Sequence, residues 1–324
     1  MTPPVATSSY TLDSEPASPV DASQKSLPAQ WYPCCSIHLI YRIYHIERRA
    51  IFSKLWMLST HTSRFQKPGD YLKLELAGYS YFVILTKEGN YPWDYEYAYS
   101  WTVTGAYNWK TLMDGYQECY HCNIAHPGFA KSLSLDTYKV TPKTNFARHT
   151  ADNNSKPNAI QPKGAGQDDA PPTFTFVFPA CGSLLRMSCG IYQDACGSSE
   201  CYTTKMEYDV FKRKTVSMER LKEYMEFYEQ VEEEDYLLCV ATQRNLNTGI
   251  YSRGVLHPSN ENGVLYYQAR VKEYVEEHLA LEKRLGHEWN PATPRSQCED
   301  KNPKGCGGES IDSVCTSLGP EMTW

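Results

Sequence analysis

No stretch of the 324 residues reaches the about 18 consecutive apolar positions that a membrane span needs. The apolar segment Ile37 to Ile46 is short and interrupted by Arg42 and His45, so no membrane partner is expected. Basic clusters are missing as well: 32 Lys and Arg stand against 38 Asp and Glu, for a net charge of −6 without any Lys/Arg block. Neither nucleic acid nor an anionic membrane surface is therefore expected as a main partner, and small neutral or cationic substrates fit better. The first arginine is Arg42, preceded by Asp13, Glu15 and Asp21, so no secretory leader or Arg-rich transit segment is expected and cytoplasm is the default. The 12 cysteines are scattered through a large chain rather than packed into a framework, which points to reduced thiols.

What is present is enough apolar and aromatic residue, 41% and 13%, for a substantial core. Residues 1–30 are rich in Pro, Ser, Ala and Asp with no hydrophobic period, and 296–324 are similar, so both ends read as disordered tails. Ile46 to Trp56 reads as a short helix. Asp70 to Leu76 alternates as a strand, Ala77-Gly78 turns the chain, and Tyr79, Tyr81, Val83 and Leu85 share one face of the returning strand. Residues 31–90 thus contain the start of a small β-domain that stops too soon to close a sandwich.

Residues 91–295 read differently. A strand from Tyr97 to Thr104 leads into a helix from about Asn108 to Ala125. Further strands are expected at Thr173 to Phe178, Leu184 to Met187 and Thr203 to Val210, with a polar loop from Asp152 to Pro172. Long helices are expected from Val216 to about Gln243 and from Gly263 to Leu285. Strands that cluster before helices, with no β-α-β alternation, make the fold class α+β.

Within the first of these helices lies Glu118-Cys119-Tyr120-His121-Cys122-Asn123-Ile124-Ala125-His126-Pro127, one carboxylate and two imidazoles within nine residues. Histidines five apart stand about 140° around a regular helix, so they converge only if the helix unwinds. Pro127 supplies the reason, because the residue before proline is pushed out of the α region. Glu118 lies three residues before His121, within reach of its ring. A zinc knuckle from Cys119, His121, Cys122 and His126 is disfavoured, since four ligands interleaved in eight residues do not easily converge tetrahedrally.

The run Glu232-Glu233-Glu234-Asp235 offers a third ligand, and helical phase chooses among its members. With Tyr228 as reference, Leu221, Tyr224, Met225, Val231, Leu238 and Cys239 form a buried stripe into which Asp235 falls, whereas Glu233 and Glu234 fall outside. A carboxylate in an apolar stripe is costly unless paired or metal-bound. Two histidines and one carboxylate form the triad that holds non-haem Fe(II) with positions open for dioxygen.

Asn108 to His121, running on to His126-Pro127, resembles the iron-binding segment of Rieske-type non-haem oxygenases, and in particular their fungal choline monooxygenase-like branch. Glu234 to Cys239, Gln243 to Tyr251, Gly254 to Gln268 and Glu47 to Phe52 resemble the same proteins, so the likeness covers roughly residues 30–295. The resemblance implies a helix-grip catalytic domain, an antiparallel sheet wrapped by helices, over 91–295, preceded by a truncated Rieske-like β-domain. It implies His121, His126 and Asp235 as ligands of a mononuclear Fe(II). Glu118 would be the catalytic carboxylate that bridges a ligand histidine to the [2Fe-2S] cluster of a neighbouring subunit, commonly in a homotrimer. Dioxygen would be the co-substrate, electrons would come from NAD(P)H through a reductase or ferredoxin, and choline would be converted to betaine aldehyde on the way to glycine betaine.

The chain departs from the family pattern where the cluster should be bound. A Rieske cluster needs a Cys-x-His and a Cys-x-x-His pair on neighbouring loops. Between Asn90 and Tyr91, where the family carries them, the chain has neither. Cys35-Ser36-Ile37-His38 precedes the β-domain, and the only Cys-x-His is Cys119-Tyr120-His121. The expectation is an oxygenase that keeps its iron site without binding the cluster itself, or else a catalytically silent homologue acting as an interaction or oligomer subunit.

Overall fold

The computed structural model describes residues 25–32, 37–55, 57, 59–60, 62–85, 95–154, 173–186, 190–200 and 203–293. The cluster question falls on Cys35 and on the Asn90–Tyr91 junction, both outside those residues, as do the tail segments 1–24 and 296–324.

The main element is a seven-stranded antiparallel sheet in the order β3-β9-β8-β7-β6-β5-β4. Its strands are β3 (Tyr95–Gly105), β4 (Leu133–Pro142), β5 (Phe146–Asn153), β6 (Thr173–Val177), β7 (Cys181–Arg186), β8 (Gly190–Glu200) and β9 (Thr203–Arg213). β4 to β9 form a meander, and β3 adds to it by pairing with β9, Trp101 opposite Tyr208. β3 and β4 therefore occupy opposite edges, and the chain between them must cross a face of the sheet. That crossing consists of α2 (Trp109–Tyr116), α3 (Cys122–Ala125) and α4 (Pro127–Ser132). α5 (Met218–Asn247) and α6 (Asn262–Leu285) pack against it, so the fold is α+β with an antiparallel sheet, as expected.

Three strands had no signal in the sequence. On β5 the inward positions are Ala147, His149 and Ala151, none of which is a strand-forming apolar residue. β4 shifts register between Ser134 and Lys139, which breaks its alternation. β8 carries Asp194 and Gly197, residues depleted in strands, and ends on the polar run Ser198-Ser199-Glu200.

The core lies where α2 and α6 meet the sheet. Trp109, Tyr267 and Phe176 stack edge to face, with ring centroids 6.0 Å apart for Trp109–Tyr267 and 5.8 Å for Phe176–Tyr267. Asn108 caps α2 by accepting the Lys110 N–H at 3.0 Å, so the helix starts where its sequence predicts. Lys110 Nζ donates to Glu47 Oε1 at 2.5 Å in a fully buried pair, and Trp109 Nε1 donates to the other oxygen at 2.9 Å. Removing either charge would strand its partner.

The helix expected at Ile46 to Trp56 is instead the end of α1 (Ile37–Glu47) followed by a π-helical turn, Arg48–Phe52. Beside it β1 (Tyr71–Leu76) and β2 (Tyr79–Ile84) form a hairpin whose turn residues Ala77 and Gly78 both have positive φ, 49° and 72°. Two left-handed residues suit the twist of a tight hairpin. Arg48 fixes its tip, donating to Ala77 O at 2.6 Å and stacking on Tyr79.

The tail expected over residues 1–30 ends earlier than predicted. Lys25 bridges Val255, Ala29–Trp31 forms a 3-10 turn, and Leu27, Trp31 and Tyr32 are buried. Long-range polar bonds hold this segment: Leu27 N–H donates to Gln268 Oε1 at 2.7 Å, and Gln243 Nε2 donates to Tyr32 O at 3.0 Å. A Pro- and Ser-rich composition hid a strap whose partners lie more than 200 residues away.

Candidate metal centre

α2 does not run on to Ala125 as its sequence suggests; it stops at Tyr116, and the chain turns before α3 begins at Cys122. Glu118 causes the turn. Its Oε2 accepts the backbone N–H groups of Tyr120 and His121, the latter at 3.3 Å, while Oε1 bonds His121 Nδ1. One carboxylate thus closes the turn ahead of α3 and orients an imidazole. At the other end His126 has φ −120° and ψ 71°, outside the α region as Pro127 demands, and Pro127 opens α4. The two breaks bring the rings of His121 and His126 to 5.2 Å between centroids.

Asp235 on α5 completes the group. Its Oδ1 lies 3.0 Å from His126 Nε2 and 3.6 Å from His121 Nε2. One carboxylate oxygen therefore faces the Nε2 of both rings, each of which is held from behind at Nδ1: His121 by Glu118, His126 by Glu234 Oε2 at 2.8 Å. Carboxylates on the far nitrogen fix tautomer and ring orientation in metal-binding histidines. The donor set of two imidazole nitrogens and one carboxylate oxygen fits a mononuclear Fe(II).

Sequence phase missed Glu234, because it asked only which residue points into the stripe. A residue 100° away on the helix can still reach round an imidazole, and adjacency to Asp235 was the available signal. Leu238 also departs from the expected stripe, at 39% exposed. Asp235 itself keeps a third of its side-chain surface accessible, because it faces a cavity.

Cys119 and Cys122 are joined as a disulfide, which corrects the expectation of reduced thiols at this pair. The Nδ1, Nε2 and Sγ donors of His121, Cys122 and His126 lie within 4.8 Å of one another, but a sulfur in a disulfide is no thiolate ligand. Asp235 Oδ1 is the carboxylate oxygen that faces the Nε2 of both rings.

Electrostatics agree with the geometry. Burial works against charging His121, yet its bonds to Asp235 and Glu118 outweigh that and raise its pKa to about 10. His126 moves up for the same reason, and the two imidazoles pull Asp235 below the usual carboxylate range against its burial. Before a metal enters, positive rings hold the carboxylate in place.

The centre opens on a cavity of about 860 Å³. Its described lining includes the rings of Tyr32, Tyr116, Phe129, Tyr138, Phe174 and Tyr251 and five carboxylates, Asp114, Glu118, Glu232, Asp235 and Glu261, with no Lys or Arg. His149, buried in the wall, is held neutral by its burial, its pKa lowered to about 3, and it pairs through Nδ1 with the Tyr138 hydroxyl at 2.6 Å. Among the described residues no helix is long and apolar enough to cross a membrane.

Residues 92–181 and 191–277, more than half of the chain, match the family model described as ring hydroxylating alpha subunit, catalytic domain. The chain is 30% identical over 182 residues to the carnitine monooxygenase oxygenase subunit of Acinetobacter baumannii, covering 52% of this chain and 47% of that protein. It is 26% identical over 155 residues to the chloroplastic choline monooxygenase of Arabidopsis thaliana, covering 45% and 35%. The chain thus spans less than half the length of these curated relatives. Among solved structures, a quaternary ammonium Rieske monooxygenase superposes with a TM-score of 0.66 at 18% identity, over 77% of this chain and 95% of that one, which establishes likeness of fold.

Proposed function

Because the chain belongs to the ring-hydroxylating alpha subunit family through its catalytic domain, we propose that it is an oxygenase component whose mononuclear iron site acts on a quaternary ammonium compound, choline or a close relative. The observation that carries this reading is the cavity beside the triad, which has aromatic rings and five carboxylates and, among the described residues, no Lys or Arg, its only cations being the two imidazoles of raised pKa already paired with Asp235. Aromatic faces attract a quaternary ammonium, and negative walls add to that attraction. A zwitterion such as carnitine brings a carboxylate that needs a cation or several donors in the pocket. Choline brings only a positive charge and a hydroxyl. The charge of the walls therefore favours choline, although carnitine monooxygenases are among the chain's more similar relatives.

In this reading His121, His126 and Asp235 hold Fe(II), which when bound supplies activation of dioxygen for hydroxylating the carbinol carbon. Glu118 and Glu234 keep the two imidazoles aligned, and the rings around the cavity exclude water and orient the ammonium. Glu118, bonded to His121, is also the carboxylate suited to bridge that histidine to a cluster on a neighbouring chain of a homo-oligomer, a trimer by analogy, with the cluster fed by a ferredoxin or an NAD(P)H reductase. We assign no [2Fe-2S] cluster to this chain, whose residues 31–90 would be a truncated Rieske-like domain. Between Asn90 and Tyr91 the sequence carries neither Cys/His pair of a cluster, Cys119 and Cys122 are joined as a disulfide, and in this reading the one Cys-x-His of the sequence already serves the iron site. That same observation favours a second reading, a silent subunit that enters an oligomer but receives no electrons.

Side-by-side turnover of choline and carnitine, with a supplied reductase and a cluster-bearing homologue, tests both readings. Choline consumption with formation of betaine aldehyde is the expected result. Consumption of carnitine alone overturns the substrate assignment, and no turnover of either by an iron-loaded, assembled protein favours the silent subunit.

A further inference from the structure

Four of the five carboxylates in the cavity wall have work or partners that account for them. Glu118 and Asp235 hold the histidines. Glu232 Oε2 accepts the Tyr208 hydroxyl at 2.7 Å, and Glu261 Oε2 accepts the His257 N–H at 2.6 Å. Asp114, in the last turn of α2, is different. Its Oδ2 accepts two neutral donors, the Tyr32 hydroxyl at 2.6 Å and Gln268 Nε2 at 2.9 Å, while Oδ1 is buried without a hydrogen-bond partner among the described residues.

Neutral donors fix a carboxylate in place without cancelling its charge. Among the described residues, the cation that acts on Asp114 is Lys110, whose Nζ is bonded to Glu47 at 2.5 Å. Glu261 adds negative charge from the cavity side. A buried carboxylate left in this condition is costly, and burial raises its pKa to about 7 even though Tyr32, Gln268 and Lys110 pull the other way. The group is also well supported: Gln268 bonds Tyr32 at 2.8 Å and is itself held by the Leu27 N–H at 2.7 Å. Asp114 shares its wall with the iron side of the cavity. The thiol of Cys239, one helical turn from Asp235, is pushed up by burial and by the charges of Asp235, Glu232 and Asp114 together.

We propose that Asp114 recognises the fixed positive charge of the substrate, as a specificity determinant separate from the iron ligands. The proposal rests on the quaternary-ammonium reading above. A quaternary ammonium donates no hydrogen bond and sheds no proton, so its fitting partner is an anion already bonded to other donors and lacking only a counter-charge. The Tyr32 ring, attached to the same oxygen, adds an aromatic face beside it. Binding of the cation shifts Asp114 to its ionised form and releases a proton near pH 7.

Calorimetry on the iron-loaded full chain tests this without turnover. Choline and its neutral carbon isostere, 3,3-dimethylbutan-1-ol, are titrated into wild type and Asp114→Asn in two buffers of different ionisation enthalpy. Wild type is expected to prefer choline over the isostere by about tenfold or more and to release a fraction of a proton per choline bound at pH 7. In Asp114→Asn, which keeps the oxygen that Tyr32 and Gln268 bond, the preference should fall several-fold, to what the rings and remaining carboxylates supply, and the proton release should vanish while the isostere binds as before. An undiminished preference in the variant overturns the role of Asp114 alone. If wild type releases no proton, the proposal falls even should the variant fail to fold. Wild type that binds no quaternary ammonium overturns the substrate reading and this inference with it.

Discussion

Glu234 grips the Nδ1 of His126 at 2.8 Å and thereby turns the Nε2 of the same ring toward Asp235, its neighbour in sequence. Adjacent residues on one helix act on opposite nitrogens of one imidazole. Replacing Glu234 with Gln keeps a hydrogen-bonding group but removes the charge that raises the basicity of the ring. Iron affinity should fall about 10- to 100-fold, with one iron still bound at saturation. Competition against a chelator of known affinity reads this directly. Asp235→Ala should bind no stoichiometric iron, and equal affinities for the Glu234→Gln variant and wild type would remove Glu234 from the site.

The donor set predicts a count as well as a strength. One triad implies about one iron per chain, and the lack of a Cys-x-His and a Cys-x-x-His pair between Asn90 and Tyr91 implies no [2Fe-2S] absorption band or electron-paramagnetic signal. Metal analysis with low-temperature spectroscopy of the purified protein checks both. Two further irons per chain with a Rieske signal would mean that Cys35-Ser36-Ile37-His38, or other residues outside those described, bind a cluster.

Why this much of the site was legible follows from how its parts are encoded. Asn108 as cap, His126 unwound by Pro127 and Asp235 on the cavity side of α5 are local rules of helix chemistry, readable within a few residues. Glu234 was not legible, because its role depends on the reach of a side chain around a ring from another element. The strap at Lys25 to Tyr32 was invisible for the same reason: its partners Gln243, Gly254 and Gln268 lie far away in sequence. Strand β5 buries alanines and a histidine, so its place in the sheet is decided by neighbours rather than by its own pattern.

A charge kept for a ligand weakens the empty protein, which gives a stability test of Asp114. Its folded pKa, about 7, lies above the ordinary 3.8. The folded state therefore binds the extra proton between those values, and stability is lost as pH rises through that window. Asp114→Asn carries no such charge. It should be more stable than wild type at pH 8, on the order of 4 kcal/mol, and show little advantage at pH 4. Urea melts at the two pH values measure the difference, and saturating choline should narrow it by stabilising wild type alone.

Glu282 on α6 gives the opposite sign. It accepts from Arg49 Nε at 2.7 Å, the Trp289 N–H at 3.0 Å and His278 Nε2 at 3.0 Å, and its side chain is 1% exposed. Burial pushes its pKa upward, but these donors prevail and lower it from 4.5 to about 2. A depressed carboxylate contributes stability that is complete above the unfolded pKa and disappears as pH falls through the folded one. The window here runs from about pH 4.5 down to about 2, and the contribution at pH 7 is about 3 kcal/mol. Glu282→Gln should lose roughly that amount at pH 7 and approach wild type as the pH drops toward 3. The two chevrons or urea curves would then converge on the acid side. Because Glu282 ties α6 to the π-helical turn through Arg49 rather than to His121, His126 or Asp235, the variant should bind iron as wild type does while it remains folded, which separates support of the fold from support of the proposed metal centre.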